Sequence, residues 1–119
     1  MTQIPDIKNL IIEGIQNRKG KSITVVDLSA IESAAASCFI IAEGTSNTQV
    51  GAISKSIEEH VRENSGVKPY NIDGLDTSDW VIIDYGDIWI HIFLPQTRQR
   101  YNLEDLWADA VITQIKDLD

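Results

Sequence analysis

Asp79-Trp80-Val81-Ile82-Ile83-Asp84-Tyr85-Gly86-Asp87-Ile88-Trp89-Ile90-His91-Ile92-Phe93-Leu94 is the stretch whose pairing decides the fold. Two β-branched and aromatic runs flank Gly86-Asp87, and a two-residue loop that begins with glycine matches the twist of paired antiparallel strands. The pattern predicts a β-hairpin. With Gly86 and Asp87 as the loop, Tyr85 faces Ile88, Asp84 faces Trp89, Ile82 faces His91 and Trp80 faces Phe93, because antiparallel partners share a face. The strand period of two gives one face to Val81, Ile83, Tyr85, Ile88, Ile90 and Ile92, which is nearly pure hydrocarbon and belongs against a core. The other face holds Trp80, Ile82, Asp84, Trp89, His91 and Phe93. Large aromatics mixed with one carboxylate and one imidazole suit either a helix-covered layer with a polar edge or a binding surface.

Upstream of the hairpin, Ile4, Ile7, Ile11 and Ile15 recur at helical spacing over residues 4–17, with Pro5 and Asp6 suited to a first turn and Arg18 and Lys19 to a last one. Gly20 ends that helix. Ser22 to Leu28 is β-branched and predicts a strand, and Ser29 to Ala36 a loop or short helical turn. Cys38 to Ala42 is a continuous apolar run of strand length, the pattern of a central strand covered on both faces. Gly44-Thr45-Ser46-Asn47 then forms a tight turn and helix cap, followed by Val50, Ile53, Ile57 and Val61 on one helical face and closed by Ser65-Gly66. The turn-rich connection from Val67 to Asp79 has room for one short edge strand near Tyr70.

Beyond the hairpin, Pro95 stops the strand and suits the start of a helix. Leu103, Leu106, Trp107, Ala110 and Val111 continue at helical spacing, so two short helical pieces are expected, with a frayed polar tail from Lys116 to Asp119. The element order predicts an α/β or α+β architecture, a mixed sheet of four to five strands with helices packed on it.

At 119 residues, the chain is expected to form a single domain, 1–119. A net charge of −8 argues against sequence-independent phosphate binding, which needs lysine and arginine to displace counterions, and favours a basic protein partner. The one cysteine, Cys38, excludes a disulfide frame and a cysteine zinc site, and fits a reducing compartment. No apolar run approaches the roughly 20 residues of a spanning helix, and no signal or transit pattern opens the chain, so the expected location is cytoplasmic, without membrane contact.

Two places in the chain hold residues suited to chemistry. Gly44-Thr45-Ser46 at a strand-to-helix junction offers N–H groups and a hydroxyl that a small nucleotidyltransferase would aim at phosphate, yet no acid follows before Glu58 to hold magnesium, and a plain helix cap explains the turn as well. Asp84 and His91 share a hairpin face and resemble an acid–base pair, but no activated nucleophile accompanies them. His60, on a separate helix, completes no metal set with His91. Six of the eight aromatic residues lie from Trp80 onward, and most must be core in a chain this short. Trp80, opening its strand beside a polar loop, is either an exposed anchor for a protein partner or a lid on the core.

Asp79-Trp80, Asp84-Tyr85-Gly86-Asp87, His91-Ile92-Phe93, Arg98, Tyr101 and Leu103-Glu104-Asp105-Leu106-Trp107 together resemble the ribosomal silencing factor family, also called Iojap-like. Gly44-Thr45-Ser46 resembles the upstream motif of the same family, and the likeness runs from about Ile4 to Ala110. It implies a nucleotidyltransferase-like fold without catalytic carboxylates, no enzymatic activity, no cofactor and no metal. It also implies binding to the large ribosomal subunit through ribosomal protein L-fourteen on its joining face, so that the small subunit cannot dock and translation is repressed. On this resemblance Trp80, Asp84, Tyr85 and His91 are the partner-binding residues, by contact or by shaping the contact surface. Tyr85 conflicts with the hairpin register, which points it at the core: either the loop is longer than two residues or Tyr85 acts from the hairpin tip. Ser37 departs from the family, which usually has Asp there. Exposed aromatic surface on the hairpin would serve a homodimer of the free protein equally well, and nothing suggests sequence-specific nucleic-acid contact.

Overall fold

The computed structural model describes residues 7–31, 34, 36–106 and 110–118. The element order is α1 (Ile7–Asn17), β1 (Lys21–Asp27), β2 (Cys38–Glu43), α2 (Asn47–Ser65), β3 (Asn71–Asp73), β4 (Trp80–Asp84), β5 (Ile88–Phe93), α3 (Pro95–Tyr101), α4 (Leu103–Leu106) and β6 (Val111–Gln114). The strands form one mixed sheet in the order β3-β4-β5-β2-β1-β6, in which β2 and β5 run parallel and the other neighbours antiparallel.

The hairpin has the expected register. Trp80 pairs with Phe93, Ile82 with His91 and Asp84 with Trp89, and the Tyr85 N–H donates to the Ile88 carbonyl at 2.9 Å, which closes a two-residue loop. Gly86 takes φ +90° there, a conformation that a side chain would strain. Strand β2 lies between β5 and β1 and is buried from Cys38 to Ala42, as its unbroken apolar run requires.

The sheet's alternation sorts two cores. Helices α1 and α2 cover one face, where Ile11, Ile15, Ile53 and Ile57 meet Ile40, Val81, Ile83, Ile90 and Ile92. On the opposite face a smaller cluster of Val26, Leu28, Phe39, Ile41 and Phe93 collects Trp80, Trp89 and Leu103 at its margin. The caps follow the local chemistry. The Ser46 hydroxyl accepts the Gln49 N–H at 3.1 Å to start α2, and Gly66, at φ +75°, ends it by donating to the Arg62 carbonyl. At the end of α1 the left-handed turn falls on Lys19, φ +59°, and the Gly20 N–H bonds back to the Ile15 carbonyl.

Helices α1 and α2 touch at Gly14. A Cβ there would lie 2.8 Å from the Ile57 Cα, and the Gly14 carbonyl accepts the Ser56 hydroxyl at 2.7 Å. Gly14→Ala should therefore destabilise the fold by about 1 to 3 kcal/mol despite alanine's better helix propensity. Urea unfolding would show it as a lower midpoint at unchanged slope, and an unchanged or raised midpoint would refute the contact.

The sheet has six strands rather than four or five. Val111 does not continue a helix: Val111-Ile112-Thr113 is β-branched, and the open edge of β1 takes it up, pairing Asp27 with Val111, Val26 with Ile112 and Thr24 with Gln114. The tail is tied rather than frayed as far as Leu118. Lys21 Nζ donates to the Leu118 carbonyl at 3.0 Å and the Ser22 N–H to Asp117 Oδ1 at 2.8 Å. The expectations for Ile4, Pro5, Asp6, Trp107, Asp119 and part of the 29–36 loop concern positions outside the described residues.

Candidate functional site

The second face of the hairpin carries a continuous layer of rings, because β5 sits between β4 and β2 in register. Pairing Phe39 with Trp89 across β2 and β5, and Trp80 with Phe93 across β4 and β5, brings four aromatic side chains and His91 to one face. Trp80 stacks on Phe93 with centroids 5.0 Å apart, and Tyr101 from α3 covers it at 4.7 Å. Phe39 meets His91 edge to face at 4.9 Å and Trp89 at 6.3 Å. Trp80 and Trp89 are half-buried and Tyr101 is 48% exposed, so the layer emerges at the surface along its Trp80–Tyr101 end.

The four residues singled out in the sequence fall into different environments. Trp80 is part of the surface. Asp84 is also half-buried, and its Oδ1 accepts the Gly86 N–H at 2.7 Å, so it caps the hairpin loop instead of orienting His91. His91 is buried at 4% exposure, its Nδ1 accepting the Trp80 indole N–H at 3.1 Å. Burial alone drives its pKa down to about 4, so the ring is neutral at physiological pH. No acid–base pair forms from these two. Tyr85 lies on the α2-covered core face with its hydroxyl buried and unpartnered, and burial, reinforced by Glu58, raises its pKa to about 12. The two-residue loop thus resolves the Tyr85 conflict in favour of the core: Tyr85 and His91 lie beneath the surface, and Trp80 and Asp84 reach it.

At the turn, the Gly44 N–H donates to the Phe93 carbonyl at 2.9 Å and both donors of Thr45 are engaged. Gln49 Oε1 accepts both the Thr45 N–H at 2.6 Å and the Thr45 hydroxyl at 2.8 Å, while Gln49 Nε2 donates to the carbonyls of Arg18 and Lys19. Asn47 Nδ2 reaches the Thr77 carbonyl at 2.8 Å. A phosphate site needs these N–H and hydroxyl groups turned outward, and here they join the cap of α2 to the end of α1. Cys38 is buried, which raises its thiol pKa and makes it unreactive. Among the described residues, no group of three or more His, Cys, Asp or Glu is placed to hold a metal ion, and no helix is long and apolar enough to cross a membrane. Ser37, exposed, binds the hairpin loop: its N–H and hydroxyl both donate to the Asp87 carbonyl, at 2.8 and 3.0 Å.

Arg98 carries more of the site than its place in the sequence suggests. Its side chain is buried on α3 and donates to the Ser22 carbonyl at 2.8 Å, to Thr24 Oγ1 at 2.8 Å and to Glu43 Oε1 at 3.2 Å. This pins α3 across the ends of β1 and β2, and α3 in turn delivers Tyr101, three residues on, to Trp80. In the sequence Arg98 stands out only as one of the residues that carry the family resemblance.

Comparison with known proteins gives a consistent result. Residues 2–119 match the family model described as "Ribosomal silencing factor during starvation". A ribosomal silencing factor of Chromobacterium violaceum is 36% identical over 106 residues, covering 89% of this chain and 85% of that one. A mouse protein named "Mitochondrial assembly of ribosomal large subunit protein 1" is 38% identical over 74 residues, 59% of this chain and 32% of its own. A crystal structure of a Chromobacterium violaceum protein superposes with a TM-score of 0.82 at 36% identity, covering 90% of this chain and 88% of that one.

Proposed function

Since the chain belongs to the ribosomal silencing factor family, whose members are regulators and not enzymes, we propose that it binds the large ribosomal subunit through ribosomal protein L-fourteen and sterically blocks subunit joining, so repressing translation. The observation that carries this reading is the half-buried Trp80, stacked on Phe93 and met by a tilted Tyr101 ring where the aromatic layer meets solvent. Tryptophan and tyrosine anchors of this kind, rigid and already packed on one side, supply most of the free energy in protein interfaces. The mouse relative is named for assembly of the large subunit of the mitochondrial ribosome, which supports that subunit as the target. A net charge of −8 fits a basic ribosomal protein, because opposite fields speed encounter and orient the pair.

On this reading the whole of 1–119 acts as one domain in the cytoplasm. Trp80 and Asp84 line the contact, and Tyr85 and His91 shape it from below. Mixing purified bacterial subunits with excess wild-type protein should lower the joined-particle peak on a gradient. Trp80→Ala, checked for an intact unfolding transition, should need at least about 30-fold more protein for the same effect. A joined-particle peak that excess wild-type protein leaves unchanged would reject the proposal. A free homodimer built on the same face would appear as a competing, concentration-dependent species in sedimentation.

A further inference from the structure

His91 is the member of the aromatic layer whose chemistry the packing does not require. An indole N–H can only donate, so the ring nitrogen 3.1 Å from Trp80 Nε1 must offer a lone pair, and a neutral imidazole then carries its proton on Nε2. That second nitrogen is buried without a hydrogen-bond partner, with the Phe39 ring edge to face against the imidazole at 4.9 Å. A buried, unsatisfied N–H is a net cost that a phenylalanine in the same place would avoid. The compensating contact is the one on the other side of the ring, to Trp80.

Stacking does not by itself orient an indole. Phe93, stacked at 5.0 Å, sets the Trp80 ring plane and Tyr101 meets it tilted at 4.7 Å, but a ring turned over in that plane keeps almost the same contact area and presents a different edge to solvent. A hydrogen bond is directional and distinguishes the two. We infer that His91 is a positioning residue: in its Nε2–H tautomer, the Nδ1 lone pair selects the one indole orientation of Trp80 that the surface presents to its partner. This assignment rests on the functional reading above, since it is the bound partner that requires one edge of Trp80.

Nitrogen-15 labelling of the full-length protein tests the premise directly at neutral pH. Ring-nitrogen correlations should report His91 protonated at Nε2 and bare at Nδ1, and the Trp80 indole proton should exchange slowly with solvent. His91→Phe fills the same space and should leave the urea midpoint close to wild type. It should nevertheless accelerate exchange of that proton at least tenfold and weaken binding to purified bacterial large subunits about 3- to 10-fold. His91→Asn, whose Oδ1 falls near the place of Nδ1, should restore part of both. An Nδ1–H tautomer, or His91→Phe with unchanged exchange and affinity while the wild type binds, overturns the role of His91 alone. If His91→Phe fails to fold, the tautomer and the wild-type exchange rate still decide whether Trp80 is held. No binding by the wild-type chain overturns the functional reading and, with it, the purpose assigned here to His91.

Discussion

Arg98→Ala is expected to lower the stability of the fold by about 3 kcal/mol, the lower end of what removal of one partner from a buried ion pair costs. The lower end applies because Glu43 keeps 22% of its side-chain surface in water against 10% for Arg98, so the carboxylate left behind is partly solvated. Three acceptors lose the guanidinium at once, and the Ser22 carbonyl keeps the Thr24 hydroxyl at 3.3 Å. One of them, the Ser22 carbonyl, belongs to a residue at φ +54° where the pairing of β1 with β2 slips between Lys21 and Thr24. Left-handed backbone at a serine persists only where its surroundings over-determine it, and the guanidinium is part of those surroundings. Arg98→Lys should recover less than half of the loss, because an ammonium is a point donor and cannot span Ser22, Thr24 and Glu43 in the geometry of the fork. Urea unfolding of the three chains decides the matter: a deficit below 1 kcal/mol for alanine, or full recovery with lysine, would show that α3 is held by its apolar contacts. Since α3 carries Tyr101, the alanine variant should also lose affinity for the large subunit beyond what its unfolded fraction explains.

Arg98 also illustrates which parts of the molecule are legible in a linear sequence. The hairpin register could be read because everything that sets it lies within sixteen consecutive residues, and one glycine, Gly86, fixes the loop. The cap at Ser46 and the buried run at Cys38–Ala42 are local in the same sense. Strand β6 was not, because Val111-Ile112-Thr113 fits a short helix or a strand equally well in isolation. What selects the strand is the free edge of β1, more than eighty residues upstream. The acceptors of Arg98 are likewise 55 to 76 positions away, and an arginine on a polar helix gives no sign by itself that it will be buried. At the candidate site the sequence sorted the hairpin side chains between the two faces as the structure has them. It could not tell that Asp84 would turn back onto Gly86 and leave His91 to Trp80, since both choices satisfy the same pairing.

Acidification should unfold the protein through His91, and by an amount comparable to the Arg98 effect. The imidazole titrates near its ordinary 6.5 in the unfolded chain, whereas burial lowers it to about 4 in the folded one. A depressed pKa in the native state means that its contribution is fully present above pH 6.5 and is lost as pH falls toward 4, because the unfolded chain accepts a proton that the native ring refuses. Two and a half units correspond to roughly 3 kcal/mol, accumulating at up to about 1.4 kcal/mol per pH unit. Carboxylates contribute as well, mostly below pH 5, so the measurement is a difference: stability of the wild type against His91→Phe at intervals from pH 7 to 4. His60 and every carboxylate are common to both chains and cancel. The gap should move steadily in favour of the phenylalanine variant on acidification and level off near the bottom of that range. Parallel curves would mean that the native ring titrates normally, and therefore that it is hydrated and does not hold Trp80. Protonation of the native ring would also place a second donor opposite the indole N–H, so release of the Trp80 indole proton to solvent exchange should be centred near pH 4, where the gap between the two chains levels off.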